Sequence, residues 1–167
     1  KCEEFKINVI PYYEIDKDFK LEDIKKVTFP LLVKPVDNGA GVGMNISKNS
    51  IELKSHIDIA LKNSKRKDYL VEKYMDCDDM LVYYTISDGT PYLSAAADRY
   101  TTKAQDIGSP VCSLAMYPSK YLNLYKEKVN KKVIKLIRDT GVKNGVLNIQ
   151  FFVEKNIFYA YDPGFRL

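Results

Sequence analysis

Two stretches of this chain carry side chains whose types and spacing suit chemistry on an anion. In the first, Lys34 ends the apolar run Phe29-Pro-Leu-Leu-Val33, and the loop Asn38-Gly-Ala-Gly-Val-Gly43 follows. A lysine at the end of a buried strand is costly unless its ammonium meets an anion or water. Three alternating glycines, Gly39, Gly41 and Gly43, let backbone N–H groups approach a phosphate. No Gly-Lys-Ser/Thr follows, and Met44-Asn-Ile46 reads as strand, so this is neither a Walker A loop nor a dinucleotide fingerprint. It fits a mobile hairpin over phosphates, and equally a flexible turn beside an exposed lysine. In the second stretch, Asn148-Ile-Gln150 is followed twelve residues after Gln150 by Asp162-Pro-Gly-Phe-Arg166. In a hairpin Gln150 and Asp162 would share a face and offer oxygens to one hard cation, with Arg166 clamping an anion beside it. The plainer reading is an Asp-Pro-Gly turn paired with an arginine.

Two smaller groups accompany them. Glu72-Lys73-Tyr74-Met75 ends a strand, and such an edge can read a purine with backbone groups; Asp78 and Asp79 follow it. Asp98-Arg99 ends the run after Ser94-Ala-Ala-Ala97, and either points a cation at the same site or forms a surface pair.

The elements that must hold these residues follow from periodicity. Ile7 to Tyr13 reads as a short strand, Leu21 to Lys26 as a short helix, and Phe29 to Lys34 as a strand buried on both faces. Asn49 followed by Glu52 starts a helix that places Leu53, Ile57, Ala60 and Leu61 inward. Tyr69 to Met75 is the next strand. Met80–Ile86 and Tyr92–Asp98 flank the hairpin signal Ser87-Asp-Gly89, and Val111 to Met116 is a third strand. Pro118-Ser119 opens one long helix through Ile137, with Gly141 beyond it. Val146–Val153 and Ile157–Tyr161 form the last hairpin. The expected division is 1–75 and 76–167.

Composition narrows the function classes. Hydrophobic residues are 46% and charged residues 29% of the 167, and 13 Tyr and 7 Phe supply burial that a disordered chain lacks. No apolar run reaches the roughly 18 residues of a membrane helix. The net charge of +4 fits a small anionic ligand, and the lysines form no block suited to a nucleic-acid arm. Three dispersed cysteines without a C-x-x-C suggest reduced thiols and a cytoplasmic setting. A single histidine, His56, argues against a His-rich zinc site and a Ser-His-Asp triad. A start at Lys1 on what reads as a helix tail, and an end just after Arg166, suggest a piece of a longer protein.

The order of Phe29-Pro-Leu-Leu-Val-Lys-Pro35 with its glycine loop, Leu70-Val-Glu-Lys-Tyr-Met75, Asn148-Ile-Gln150 and Tyr161-Asp162…Arg166 resembles the ATP-grasp superfamily, in its carbamoyl-phosphate-synthase-like and biotin-carboxylase-like branch. The resemblance implies an α+β fold of two α/β lobes with the nucleotide cleft between them, the C-terminal lobe being antiparallel sheet plus helices. It implies that Lys34 contacts ATP phosphate, and that Gly39, Gly41 and Gly43 form the phosphate-covering loop. Glu72 would meet the adenine amino group, with the Lys73 and Met75 backbone completing the adenine contacts. Asp79 would hold the ribose hydroxyls. Arg99, read from its own place at the end of its strand and not from the resemblance, is a further cofactor-binding candidate. Gln150 and Asp162 would bind Mg²⁺, with Mn²⁺ as a substitute, and Arg166 would face the phosphates or an acyl intermediate. Gly164 departs from the family, which usually has a metal-binding Asn there, and this affects the second metal.

The implied chemistry is ATP-dependent ligation of a carboxylate to an amine or similar nucleophile through an acyl phosphate. The carboxylate and nucleophile are unidentified. Neither nucleic acid nor membrane is an expected partner, and a homodimer is compatible with the reading. Rival readings are a catalytically weak ATP-binding module, phosphotransfer on the same scaffold and, least favoured, a nucleic-acid-binding domain.

Overall fold

A computed structural model describes residues 1–39, 41–102 and 111–166. The chain divides into two compact units, one built on Pro11–Met75 and the other on Lys1–Ile10, Asp76–Thr101 and Cys112–Leu167. The first ten residues therefore do not fold with the stretch that follows them. Ile7 is buried in the second unit's core, and the Ala160 N–H donates to the Asn8 carbonyl at 2.8 Å. The strand expected over Ile7–Tyr13 is split accordingly, and only Tyr12–Tyr13 is a strand.

The first unit holds β1 (Tyr12–Tyr13), β2 (Leu31–Pro35), β3 (Asn45–Ser47), α1 (Ser50–Asn63) and β4 (Tyr69–Lys73). Its sheet is antiparallel, in the order β1-β4-β2-β3. Leu31, Val33 and Val71 meet Leu53, Ile57 and Ala60 of α1, all at most 1% exposed. Each fully buried Leu, Ile or Val side chain contributes about 1.5–3 kcal/mol. The other face of β2 is only half-buried and carries Leu32 and Lys34, so the expectation of burial on both faces is corrected. The Asn49 side chain accepts from the N–H groups of Ile51 and Glu52, and Glu52 accepts from the Lys48 N–H, so the expected cap forms. Leu21–Lys26 makes turns, not the expected helix. Leu21 is 70% exposed and only Ile24 is buried, which leaves so short a segment no apolar face to dock.

The second unit holds β5 (Asp78–Ser87), β6 (Thr90–Thr101), β7 (Cys112–Met116), α2 (Leu122–Lys128), α3 (Asn130–Asp139), β8 (Gly145–Glu154) and β9 (Ile157–Arg166). The sheet is antiparallel, in the order β7-β6-β5-β8-β9. Left-handed pairs, Asp88 with Gly89 and Lys155 with Asn156, make the two tight hairpin turns. One sheet face is apolar. Met80, Val82, Tyr84, Leu147, Ile149 and Phe151 pack with Tyr125, Val133 and Ile137 of the helices. The buried Tyr84 and Tyr125 hydroxyls satisfy each other at 2.8 Å. The single long helix expected here breaks at Val129, where φ is −123°. Asp98, buried, accepts from the Ser119 hydroxyl and the Lys120 N–H and so secures the turn before α2. No helix among the described residues is long and apolar enough to cross a membrane.

Candidate functional site

Since the apolar side chains of the five-stranded sheet take one face, the alternation of β-strands sends their neighbours to the other. Asp79 of β5 pairs with Arg99 of β6, and Gln150 of β8 pairs with Asp162 of β9. Strict alternation in β9 would not deliver Asp162 to that face, because Phe158 and Ala160 point into the core. The register shifts between Gln150 and Phe151, leaving Tyr161 as the extra residue opposite them. This bulge turns both Tyr161 and Asp162 to the polar face, and Pro163 and Phe165 resume pairing with the core positions Ile149 and Leu147. Asp162-Pro-Gly164 is therefore strand, not the turn that its composition suggests.

These side chains form a connected network. Arg99 Nη1 lies 2.8 Å from Asp79 Oδ2, 2.7 Å from the Tyr161 hydroxyl and within hydrogen-bond reach of Gln150 Oε1, and its two protons are shared among these three acceptors. The Tyr161 hydroxyl lies 2.9 Å from Asp79 Oδ2 and 2.7 Å from Gln150 Oε1, and its single proton serves one of them. Gln150 Nε2 donates to Asp162 Oδ2 at 3.1 Å. The Tyr161 ring stacks on Phe152 at 4.2 Å, which fixes the hydroxyl. Burial pushes the Asp79 carboxyl up against the pull of Arg99 and Tyr161, and the same burial, with Asp79 adding, holds the Tyr161 hydroxyl above its usual range. Asp79 and Arg99 side chains are only 11% and 12% exposed. Asp79 Oδ1 is buried with no hydrogen-bond donor among the described residues.

Further along the same face, Asn148 pairs with Gly164. Asn148 Oδ1 is also buried, with no hydrogen bond among the described residues. It stands 2.9 Å from where a Cβ on Gly164 would lie, and Arg166 Nη1 stands 3.0 Å from that point.

The first unit holds the remaining candidates. Lys34 and Glu72 are diagonal neighbours on the half-buried face of β2 and β4, with Lys34 Nζ 2.7 Å from Glu72 Oε2. The ammonium at 2.7 Å compensates the buried Glu72 oxygen. The Lys73 N–H donates to the Pro11 carbonyl at 2.8 Å, the Tyr74 N–H donates to Pro30, and Met75 is 6% exposed. In the glycine loop the Val42 N–H donates to Gly39 and the Met44 N–H to Gly41. Gly41 and Gly43 have φ of 71° and 77°. A Cβ on Gly43 would lie 2.8 Å from Asn63 Cβ and 3.0 Å from Pro35 Cγ, whereas one on Gly39 would meet nothing within 4 Å. Ala40 of this loop lies outside the described residues.

The structure thus brings Asp79, Arg99, Gln150 and Asp162 into one network, places Arg166 beside Gly164, and sets Lys34 against Glu72. Sequence reasoning missed Tyr161 and the unsatisfied oxygen of Asn148. The adjacent non-core residues Tyr161 and Asp162, after the inward Phe158 and Ala160, are the signal of the bulge that could have found Tyr161.

Residues 2–159 match the family model described as D-ala D-ala ligase C-terminus. The large chain of carbamoyl phosphate synthase from Clostridium botulinum (strain Loch Maree / Type A3) is 32% identical over 143 residues, 85% of this chain and 13% of its own length. The chain therefore spans a small part of that relative. Biotin carboxylase from Campylobacter jejuni, in a β-γ-ATP complex, superposes with a TM-score of 0.76 at 20% identity, covering 99% of this chain and 38% of its own. D-alanine–D-alanine ligase from Bacillus anthracis gives 0.69 at 21% identity, covering 98% and 53%.

Proposed function

Because the chain belongs to the D-ala D-ala ligase C-terminus family of ATP-grasp domains, we propose that it is the ATP-binding part of an ATP-dependent ligase that joins a carboxylate to an amine or similar nucleophile through an acyl phosphate. The observation that carries this reading is the buried Asp79 Oδ1, which has no hydrogen-bond donor among the described residues. Buried acceptors are nearly always satisfied, so it calls for a donor; Glu72, buried and held by Lys34, is the second carboxylate on offer. In ATP the adenine amino group suits Glu72 and the ribose hydroxyls suit Asp79. Residues Lys73 and Met75 add backbone contacts to the purine.

Lys34 puts an ammonium beside Glu72, ready to exchange that ion pair for a phosphate oxygen. Gly39, Gly41 and Gly43 offer loop amides to the same phosphates. Arg99 and Arg166 add guanidinium charge from the five-stranded sheet. These groups stabilise the charge that spreads over the transferring phosphoryl oxygens, a contribution made by fixed dipoles and charges with no nucleophilic side chain.

The family implies Mg²⁺, and Asp162, with a carboxylate, and Gln150, with a carboxamide, are the residues on paired strands that would hold it. Gln150 turns Nε2 to Asp162 and Oε1 to Arg99 and Tyr161, so its amide would have to rotate to offer the oxygen beside Asp162. When bound, the ion neutralises phosphate charge. Arg99 draws Gln150 Oε1 toward itself by a hydrogen bond, which leaves Nε2 facing Asp162.

The acceptor carboxylate and the nucleophile are not read from these residues. A thermal-shift titration with Mg·ATP and Mg·GTP tests the reading. Saturation at about 100 times Kd stabilises by about 2.7 kcal/mol, and Mg·ATP is expected to do so more effectively than Mg·GTP. No shift with either nucleotide contradicts the proposal. Release of ADP dependent on a carboxylate then distinguishes ligation from a binding module without turnover.

A further inference from the structure

The net charge of +4 is concentrated on one helix pair. Of the 26 Lys and Arg and 22 Asp and Glu, residues 122–139, which span α2 and α3, hold six cations (Lys126, Lys128, Lys131, Lys132, Lys135 and Arg138) and two anions (Glu127 and Asp139), so elsewhere 20 cations face 20 anions. These cations stand against local preference. Lys131 and Lys132 occupy the first turn of α3, where the positive end of the helix dipole repels them and no acid is present. Lys131 and Lys135 are like charges at i, i+4, which also disfavours a helix. Because α3 buries Val133, Leu136 and Ile137, it turns Lys131, Lys135 and Arg138 outward as an exposed stripe about 10 Å long at 1.5 Å per residue.

None of the six cations is in an ion pair among the described residues. Three have neutral partners. Lys132 Nζ donates to the Lys6 carbonyl at 2.8 Å, Lys128 Nζ donates to the Asn156 carbonyl at 3.4 Å, and Lys135 Nζ lies 5.9 Å from the centre of the Phe5 ring. These contacts position the side chains and leave their charge unbalanced. Asp139 is held by Lys1, as is Glu4 of the Glu3–Phe5 turn packed on α3.

Local rules broken without a structural gain mark a functional surface. The face has no large exposed hydrophobic residue on α2 or α3, so it has nothing to sink into a lipid surface or to stack on unpaired bases. Five of its six cations are Lys, point charges without the guanidinium fork that matches phosphate. A flexible segment rich in Asp and Glu requires neither feature. We propose that the outer face of α2 and α3 is a docking surface for an acidic polypeptide segment, whose carboxylates supply the anions that α3 lacks. The helices cover the apolar face of the five-stranded sheet, and the network of Asp79, Arg99, Gln150 and Asp162 lies on the other. A docked segment therefore leaves that network open, and docking does not depend on nucleotide binding.

The test is a fluorescence-anisotropy titration of a labelled oligoglutamate peptide with the full chain. Wild type should bind it at low salt, and affinity should fall by about tenfold or more as salt rises from about 50 to 200 mM. Lys131→Gln/Lys135→Gln/Arg138→Gln should weaken low-salt binding by about tenfold or more. The control Lys25→Gln/Lys54→Gln/Lys62→Gln removes the same charge from exposed positions of the first unit and should bind like wild type. Unfolding midpoints check that both variants fold. Duplex DNA and phosphatidylserine vesicles, titrated in parallel, should lose less affinity than the peptide when the stripe is removed. Failure of wild type to bind oligoglutamate at low salt overturns the proposal. Equal weakening by the two triple variants also overturns it, because net charge alone then accounts for binding. A larger loss for DNA or vesicles than for the peptide overturns the assignment of the partner as polypeptide.

Discussion

The two units carry their polar groups in opposite ways. In the second unit the candidate residues sit on a wide antiparallel sheet and hold one another through side chains: Asp79, Arg99, Tyr161, Gln150 and Asp162 form one chain of hydrogen bonds. In the first unit they sit on a short sheet and a loop, and apart from the Lys34–Glu72 ion pair the groups on offer belong to the backbone. A network on strands is preorganised, which suits a cation that tolerates little error in ligand position. A loop of turns can move onto a flexible chain of phosphates. The difference teaches that side-chain substitutions should act mainly through the sheet and backbone substitutions mainly through the loop.

The largest expected effect is at the sheet. Asp162→Ala should lower Mg²⁺-dependent ATP affinity by about a hundredfold or more, read by calorimetry, with little change in stability because the side chain is exposed. If affinity is unchanged, the sheet network is only structural and the contrast fails. Gly43→Ala should destabilise the protein by about 1–3 kcal/mol in urea unfolding, because the residue has φ of 77° and its Cβ would press on Asn63 and Pro35. Gly39→Ala should leave stability within about 0.5 kcal/mol while weakening ATP binding if the loop covers phosphate. Equal losses of stability at both glycines would break the distinction within the loop. Tyr161→Phe should cost about 1–2 kcal/mol, since it removes a hydroxyl shared by Arg99, Asp79 and Gln150.

The smallest effect is at Asp78, whose carboxyl is held below its usual range by the Tyr121 hydroxyl first and then by Lys120. A depressed folded-state value stabilises above the unfolded value of 3.8, and the gain is lost as pH falls through the folded one. Asp78→Asn should therefore be slightly less stable than wild type at pH 7, by less than about 1 kcal/mol, with the gap closing below pH 3.8. A gap that widens in acid would contradict the assigned cause.

Much of the fold was legible because its signals are local. The Asn49–Glu52 cap, the Asp88-Gly89 and Lys155-Asn156 turns and the alternation of β8 are written in neighbouring residues. The nearness of Gln150 and Asp162 followed from the hairpin, but its register alone sets Gln150 against Tyr161, and the bulge makes the pair that forms. What was not legible depends on partners far apart in sequence. Lys1–Ile10 pack with a sheet that begins at Asp78, and no pattern within ten residues announces that. The bulge at Tyr161 is set by competition between two registers, as Ala160 and Phe165 both seek the core. The long helix breaks at Val129, beside Asn130, whose side chain accepts from the Tyr84 hydroxyl at 2.6 Å, a contact invisible to helical periodicity. The Asp98-Arg99 pair turned out to divide its labour, with Asp98 securing the turn before α2 and Arg99 joining the polar network.

The central claim is that the polar face of the five-stranded sheet holds the divalent cation of a bound nucleotide. Calorimetric titration of ATP into the protein with and without Mg²⁺, for wild type and for the double variant Gln150→Ala/Asp162→Ala, tests it most directly. The account predicts that wild type binds ATP much more tightly with Mg²⁺ and that the double variant loses this difference while staying folded. An undiminished Mg²⁺ effect in the folded double variant would contradict it.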